Sequence, residues 1–169
     1  TRNPYCQYGL DGIVFDSKGN LFVGNFGDGE ITKLTFNDQG QVATSNVFAK
    51  TDFGCDLDPN QPGFIDTAKR TMMRTTDGMC IDKNDTIYIA DFSNNAIARV
   101  TKDGQVSVLW QNDDTDGQSG LLNEPGEPII WNGSLVVSNF DAVYGPKNRD
   151  KVNTKNDQPS TLSIITLNK

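Results

Sequence analysis

The stretch DGIVFDSKGNLFVGNFGDGEITKL, starting at Asp11, lies without a gap over DGMCIDKNDTIYIADFSNNAIARV, starting at Asp77. The offset is a constant 66: Asp11 falls on Asp77, Asp16 on Asp82, Phe26 on Phe92 and Ile31 on Ile97. A chain that repeats itself is built from one supersecondary unit used several times. Here each copy alternates apolar and polar residues in short runs broken by polar turns (DSKGN, KND, FSNN, KDG), the pattern of antiparallel strands in a meander. The second copy extends through Gln105-Val106 to Trp110 and so reads as four strands. Residues 43–50 supply the fourth strand of the first. A third, degenerate copy begins near Leu121, where SLVVSNF lies over TIYIADF and NLFVGNF. Its first turn is shorter, at Asn132-Gly133, a strong hairpin signal. STLSIITL, near the end, gives it one more strand.

These units read as blades of an all-β propeller, each blade a four-stranded antiparallel sheet. The expected division is a single partial domain over 1–169, with blades at roughly 9–50, 75–112 and 121–169 and an insertion at 51–74. About three blades cannot close a ring that needs four to eight. The expectation is therefore part of a larger ring, its remainder supplied by a missing half or by a symmetry-related copy. The competing reading is a self-contained open sandwich.

The insertion accounts for a period longer than the ~40–45 residues of a simple blade. It has a turn-rich half, Asp56 to Gly63, then a possible short helix, Ile65 to Met73. Long insertions act as lids or lie as passive surface loops. Asp56, Asp58 and Asn60 alternate as in a calcium loop, but the Gly and Glu of such a loop are missing from the required places. Residues 141–160 read as a long polar loop.

Composition narrows the chemistry. Net charge is −7, from 15 Lys and Arg against 22 Asp and Glu, which argues against a nucleic-acid partner. No apolar run approaches the ~20 residues of a membrane-spanning helix. The chain has no His, which removes a Ser–His triad, a His-ligated zinc and any His base. Of the three Cys, Cys80 reads as a small hydrophobe within a strand. Cys6 and Cys55 could pair if the chain is exported, and a secreted or periplasmic location is favoured over a cytoplasmic one. Asn84 and Asn132 head glycosylation sequons at turns.

Asp11, Asp77 and, allowing a two-residue shorter turn, Glu127 share one repeat position at the start of each innermost strand. Innermost strands line the channel, so these carboxylates converge at one mouth. Their mutual repulsion raises their pKa values, and a divalent cation relieves it. The structural alternative is that Asp-Gly simply turns the chain into each blade. A second polar column, Asn25, Asp91 and Asn139, reads as turn-capping groups.

Asp77-Gly78-Met79-Cys80-Ile81-Asp82, followed by a polar turn and Ile87-Tyr88-Ile89-Ala90, resembles the gluconolactonase / senescence-marker-protein / regucalcin superfamily of six-bladed propellers. The match is to the blade that carries that family's catalytic, metal-binding aspartate. It covers roughly residues 9–140 as repeats, and implies the C-terminal half of the ring. The resemblance implies a metal-dependent, lactonase-type hydrolase of small-molecule esters or lactones, using one divalent cation, Ca²⁺ or Zn²⁺. Asp77 would be catalytic and a metal ligand. Asp11, where the family usually has Asn, would be a second ligand or a substrate contact. Glu127, in Gly126-Glu127-Pro128, resembles a Gly-Glu-Gly-Pro segment that the family carries in its first blade; here it would contact substrate. The remaining ligands would come from other blades. The alternative is a non-catalytic binding propeller of NHL type, with a structural ion or none.

Overall fold

The computed structural model describes residues 8–51, 73–140 and 160–167. Most of the insertion, the Asp56–Asn60 stretch, the helix expected up to Met73, Cys6, Cys55 and the 141–159 part of the polar loop lie outside them. Within them the chain forms eleven strands in three antiparallel sheets. Blade 1 is β1 (Leu10–Phe15), β2 (Leu21–Asn25), β3 (Glu30–Phe36) and β4 (Val42–Lys50), paired in that order. Blade 2 is β5 (Met79–Ile81), β6 (Ile87–Asp91), β7 (Ala96–Val100) and β8 (Val106–Gln111). Blade 3 is β9 (Pro125–Trp131), β10 (Ser134–Asn139) and β11 (Leu162–Thr166). The propeller expectation holds in sheet number, strand order and direction. Among the described residues no helix is long and apolar enough to cross a membrane.

The turns repeat as closely as the strands. Asp16 Oδ1 accepts from the N–H groups of Lys18 (2.9 Å) and Asn20 (2.8 Å). Asp82 Oδ1 does the same for Asn84 (2.8 Å) and Thr86 (2.9 Å). An aspartate that satisfies the N–H groups of its own turn explains why this residue begins the first hairpin loop of blades 1 and 2. After the second strand of blades 1 and 2 a single 3-10 turn ends in a left-handed residue, Gly29 (φ 57°) or Asn95 (φ 48°). Gly and Asn are the residues that accept this conformation at least cost. Sequon residues Asn84 and Asn132 are both exposed at turns.

Blade 2 is buried on both faces. Val14, Phe22 and Ile31 of blade 1 pack against Met79, Ile87, Ile89, Ala98 and Val100 of blade 2. Tyr88 and Ile97, with Cys80, pack on the other side against Leu122, Leu135, Val137 and Ile165. Cys80 thus packs as the small apolar residue expected of it. Burial pushes its thiol up to about 12, assisted by the charges of Glu127 and Asp82, which leaves it protonated and inert.

The flanking blades each keep one apolar face uncovered. Ile13, Phe15 and Val42 are exposed on blade 1. Their counterparts Met79, Ile81 and Val106 are covered by blade 1 itself. Ile129, Trp131, Leu162 and Ile164 are exposed on blade 3.

In the polar column, Asn25 Nδ2 donates to Asp28 Oδ2 (2.7 Å) within its own turn, while Asp91 and Asn139 tie down chain segments. Asp91 is 0% exposed and accepts from the N–H groups of Arg74 (3.0 Å) and Thr75 (2.9 Å) and from Asn94 Nδ2 (2.7 Å). Asn139 accepts from Asn123 N–H (3.0 Å) and donates to Thr161 Oγ1 (2.8 Å) and Ser163 Oγ (3.0 Å). Each thereby clamps the segment that leads into its blade's innermost strand. Replacing Asp91 by Ala strands several buried donors and is expected to cost about 3 kcal/mol or more in urea unfolding. Asp16→Ala, which removes the acceptor for the Lys18 and Asn20 N–H groups of the turn, is expected to cost about 1 kcal/mol.

Candidate active site

The innermost strands β1, β5 and β9 lie side by side. Each carries a bulge at the repeat position of interest. In blade 1, Asp11 pairs with Gly24 and Ile13 with Val23, leaving Gly12 (φ 35°) as the extra residue. In blade 2, Asp77 N–H donates to the carbonyl of Ala90 and the Gly78 carbonyl accepts from Ala90 N–H, both at 3.0 Å, so two residues face one. In blade 3, Val137 pairs with Pro128 and Asn139 with Pro125, so Gly126 and Glu127 both face Ser138. A bulge bends its strand and re-aims the side chains beside it, which is how a carboxylate is turned toward a channel mouth.

The same positions are where neighbouring blades come closest. A methyl group at Gly12 would stand 2.5 Å from the carbonyl oxygen of Asp77. One at Gly78 would stand 2.5 Å from that of Gly126, with Glu127 Oε2 closer still. Gly78 N–H donates across this gap to Gly126 O (2.9 Å) and also to its neighbour Asp77 Oδ1 (3.0 Å). Gly12 N–H likewise donates to Asp11 Oδ1 (2.8 Å). The Asp-Gly pair is thus both a structural device and a means of presenting a carboxylate, so the two readings of the motif coexist.

One expectation requires correction. Pro128 pairs with Val137 as Ile13 pairs with Val23 and Met79 with Ile89. Glu127 therefore stands in the glycine column of Gly12 and Gly78, and Gly126 stands in the acid column. The blade 3 loop, Asn132-Gly133 between paired Trp131 and Ser134, is one residue shorter than Ser17-Lys18-Gly19, not two. Glu127 reaches the mouth all the same, because its carboxylate lies over Gly78 from the neighbouring strand.

Asp11, Asp77 and Glu127 line one cavity of about 500 Å³, together with Gly126 and Ser138. The lining also includes four aromatic rings: Tyr8, Phe26, Phe92 and Phe140. Burial pushes the Asp77 carboxyl up to about 7. The negative charge of Asp11 is the next cause, the Gly78 N–H opposes it, and a hydrogen bond with the Asp11 carboxyl and the charge of Glu127 add to the rise. Glu127, open to solvent on one side, is moved up by partial burial and then by Asp11. Oxygen-only donors of this kind suit a hard cation. Among the described residues no three Asp, Glu, His or Cys side chains are grouped closely enough to enclose one. The donors fit a divalent ion in kind and supply only part of a coordination shell.

Comparison with solved structures bears on the fold. A luciferin-regenerating enzyme superposes with a TM-score of 0.58 at 9% identity, over 95% of this chain and 49% of its own. Regucalcin from Agrobacterium tumefaciens, described as a calcium-binding protein, superposes with a TM-score of 0.58 at 13% identity, over 93% of this chain and 45% of its own. The chain has the β-propeller fold of the regucalcin-like proteins. It spans about half the length of these two structures. No protein-family model and no curated protein matches it significantly.

The sign of the Asp77 shift fixes a pH dependence. A carboxyl raised from 3.8 to about 7 on folding binds a proton more tightly in the native state. It costs no stability below about pH 3.8, a growing amount between 3.8 and about 7, and its full amount above. Asp77→Asn should therefore raise Tm at pH 8 and leave it nearly unchanged at pH 4. A Tm lowered by the substitution at pH 8 would show that the charge is not a burden there.

Proposed function

We propose that the chain is part of a lactonase-type hydrolase acting on a small ester or lactone at the channel mouth. One observation carries this reading: three carboxyl groups from three blades line a single cavity, where burial pushes one of them, Asp77, up to about 7. A strongly displaced carboxyl in a cavity is a candidate for proton-transfer chemistry, and a pKa close to working pH makes it an effective base and acid in turn. In its ionised form Asp77 takes the proton of a water that adds to the lactone carbonyl carbon. As the ring C–O bond breaks, the same carboxyl returns that proton to the departing oxygen. The negative charge of Asp11 beside Asp77 sustains its basicity. Glu127, on the next strand, supplies a further acceptor for substrate. The propeller fold itself selects no reaction, so the weight rests on these groups.

A divalent cation, Ca²⁺ or Zn²⁺, fits the oxygen donors and the crowding of negative charge. Asp77 and Asp11 would hold it, with the rest of its shell from outside the described residues. When bound it supplies Lewis-acid polarisation of the substrate carbonyl. The regucalcin match, described as calcium-binding, agrees with this choice of ion. The rival reading, a binding propeller without catalysis, draws on the absence of a closed three-acid group among the described residues.

The two uncovered apolar faces suit further blades of a ring, from another part of the protein or from a second copy. On that reading the chain alone associates in solution, and native mass spectrometry should find species above one chain mass. Ile13→Asp should weaken them.

Activity tests the main proposal. Lactone opening with added Ca²⁺ or Zn²⁺ should fall by about 10²–10⁴ in kcat on Asp77→Asn. In the metal-free protein, Ca²⁺ should raise Tm more at pH 8 than at pH 5, where protons compete for Asp77. Unaltered turnover in Asp77→Asn would remove Asp77 from the chemistry. Ca²⁺ binding without turnover in the wild-type protein would favour the binding propeller.

A further inference from the structure

The residue after each member of the polar clamp column is a phenylalanine: Phe26 after Asn25, Phe92 after Asp91 and Phe140 after Asn139. The three rings form a continuous row across the blades. Phe26 and Phe92 have centroids 5.7 Å apart with planes at 60°. Phe92 and Phe140 are 5.6 Å apart, also at 60°. Tyr8 extends the row from the other end, 5.6 Å from Phe26 and nearly perpendicular to it. All four rings line the cavity that holds the acids. The middle of the row is packed, with Phe26 7% and Phe92 5% exposed. Its ends are open, with Phe140 65% and Tyr8 54% exposed.

The cavity lining therefore combines carboxyl groups at the strand bulges with a row of aromatic rings. Among the described residues, its polar side chains other than the acids are Ser138 and the Tyr8 hydroxyl. Ser138 Oγ already accepts from Glu127 N–H at 3.1 Å. A polyhydroxylated ligand laid along the rings would set hydroxyl groups against apolar ring faces, which is costly once water is excluded. An apolar body there covers the open ring faces of Phe140 and Tyr8 and is stabilised in proportion to the area removed from water.

We infer that the site selects an ester or lactone with an aliphatic or aryl body, laid along the Tyr8–Phe26–Phe92–Phe140 row with its carbonyl toward Asp77, and disfavours polyhydroxylated sugar lactones. This rests on the hydrolase reading for the chemistry but not for the binding. Both are tested on the full chain. In one arm, calorimetry on the Asp77→Asn protein compares a long-chain aliphatic lactone with glucono-δ-lactone. The aliphatic compound should bind about a hundredfold tighter, the worth of a few buried methylene groups. In the other arm, kcat/KM of the wild-type protein should show the same preference, and Phe140→Ala should narrow it about tenfold. Phe140 is exposed, so the variant should fold, and its melting curve checks this. Equal or tighter binding of glucono-δ-lactone, or a preference unmoved by Phe140→Ala, would overturn the inference. Absence of turnover on every lactone would overturn the hydrolase reading alone, since the calorimetric preference stands without it.

Discussion

The close approach of the innermost strands at Gly12 and Gly78 is the constraint on which the rest depends. Side chains at these positions would collide with the backbone of the next blade, so the innermost strands approach this closely only where glycine stands. The extra residue at each position bulges the strand, and the bulge turns the neighbouring carboxylate toward the mouth. Packing and chemistry thus share one device. The cost is electrostatic: blades that pack tightly here bring Asp11, Asp77 and Glu127 around a single cavity, and Asp77 is moved up to about 7.

A second column bears the mechanical load. Asp91 and Asn139 each grip the segment that runs into the innermost strand of their own blade, through several hydrogen bonds in a buried setting. Stability and function are therefore separated by only a few residues along each repeat. The clamp residue ends the second strand, and the aromatic residue after it faces the cavity. The acids sit across from them on the first strand.

Much of this was legible from residues. The constant offset between Asp11 and Asp77 located six strands, because a repeat doubles every weak strand signal. Asn25, Asp91 and Asn139 read as turn-capping groups, short polar side chains at strand ends, and Asp91 and Asn139 hold the segment entering their own blade as well. The register of blade 3 was not legible. Its loop is shorter by one residue, and a bulge can absorb a one-residue slip without changing the apolar alternation on either side. Glu127 consequently looked like the partner of Asp77 in the acid column, when it stands beside that column and reaches the mouth from the glycine position. The aromatic row was visible as Phe26, Phe92 and Phe140 at one repeat position. Without coordinates, phenylalanine in a strand-rich chain reads simply as core.

The claim that these acids form one coupled site is tested most directly by the titration of Asp77 itself. Carbon-detected NMR of its side-chain carboxyl, across the acid and neutral range, should give a midpoint near 7 that falls when Asp11 is replaced by Asn. A midpoint in the ordinary carboxylate range, about 4, and unmoved by Asp11→Asn, would contradict it.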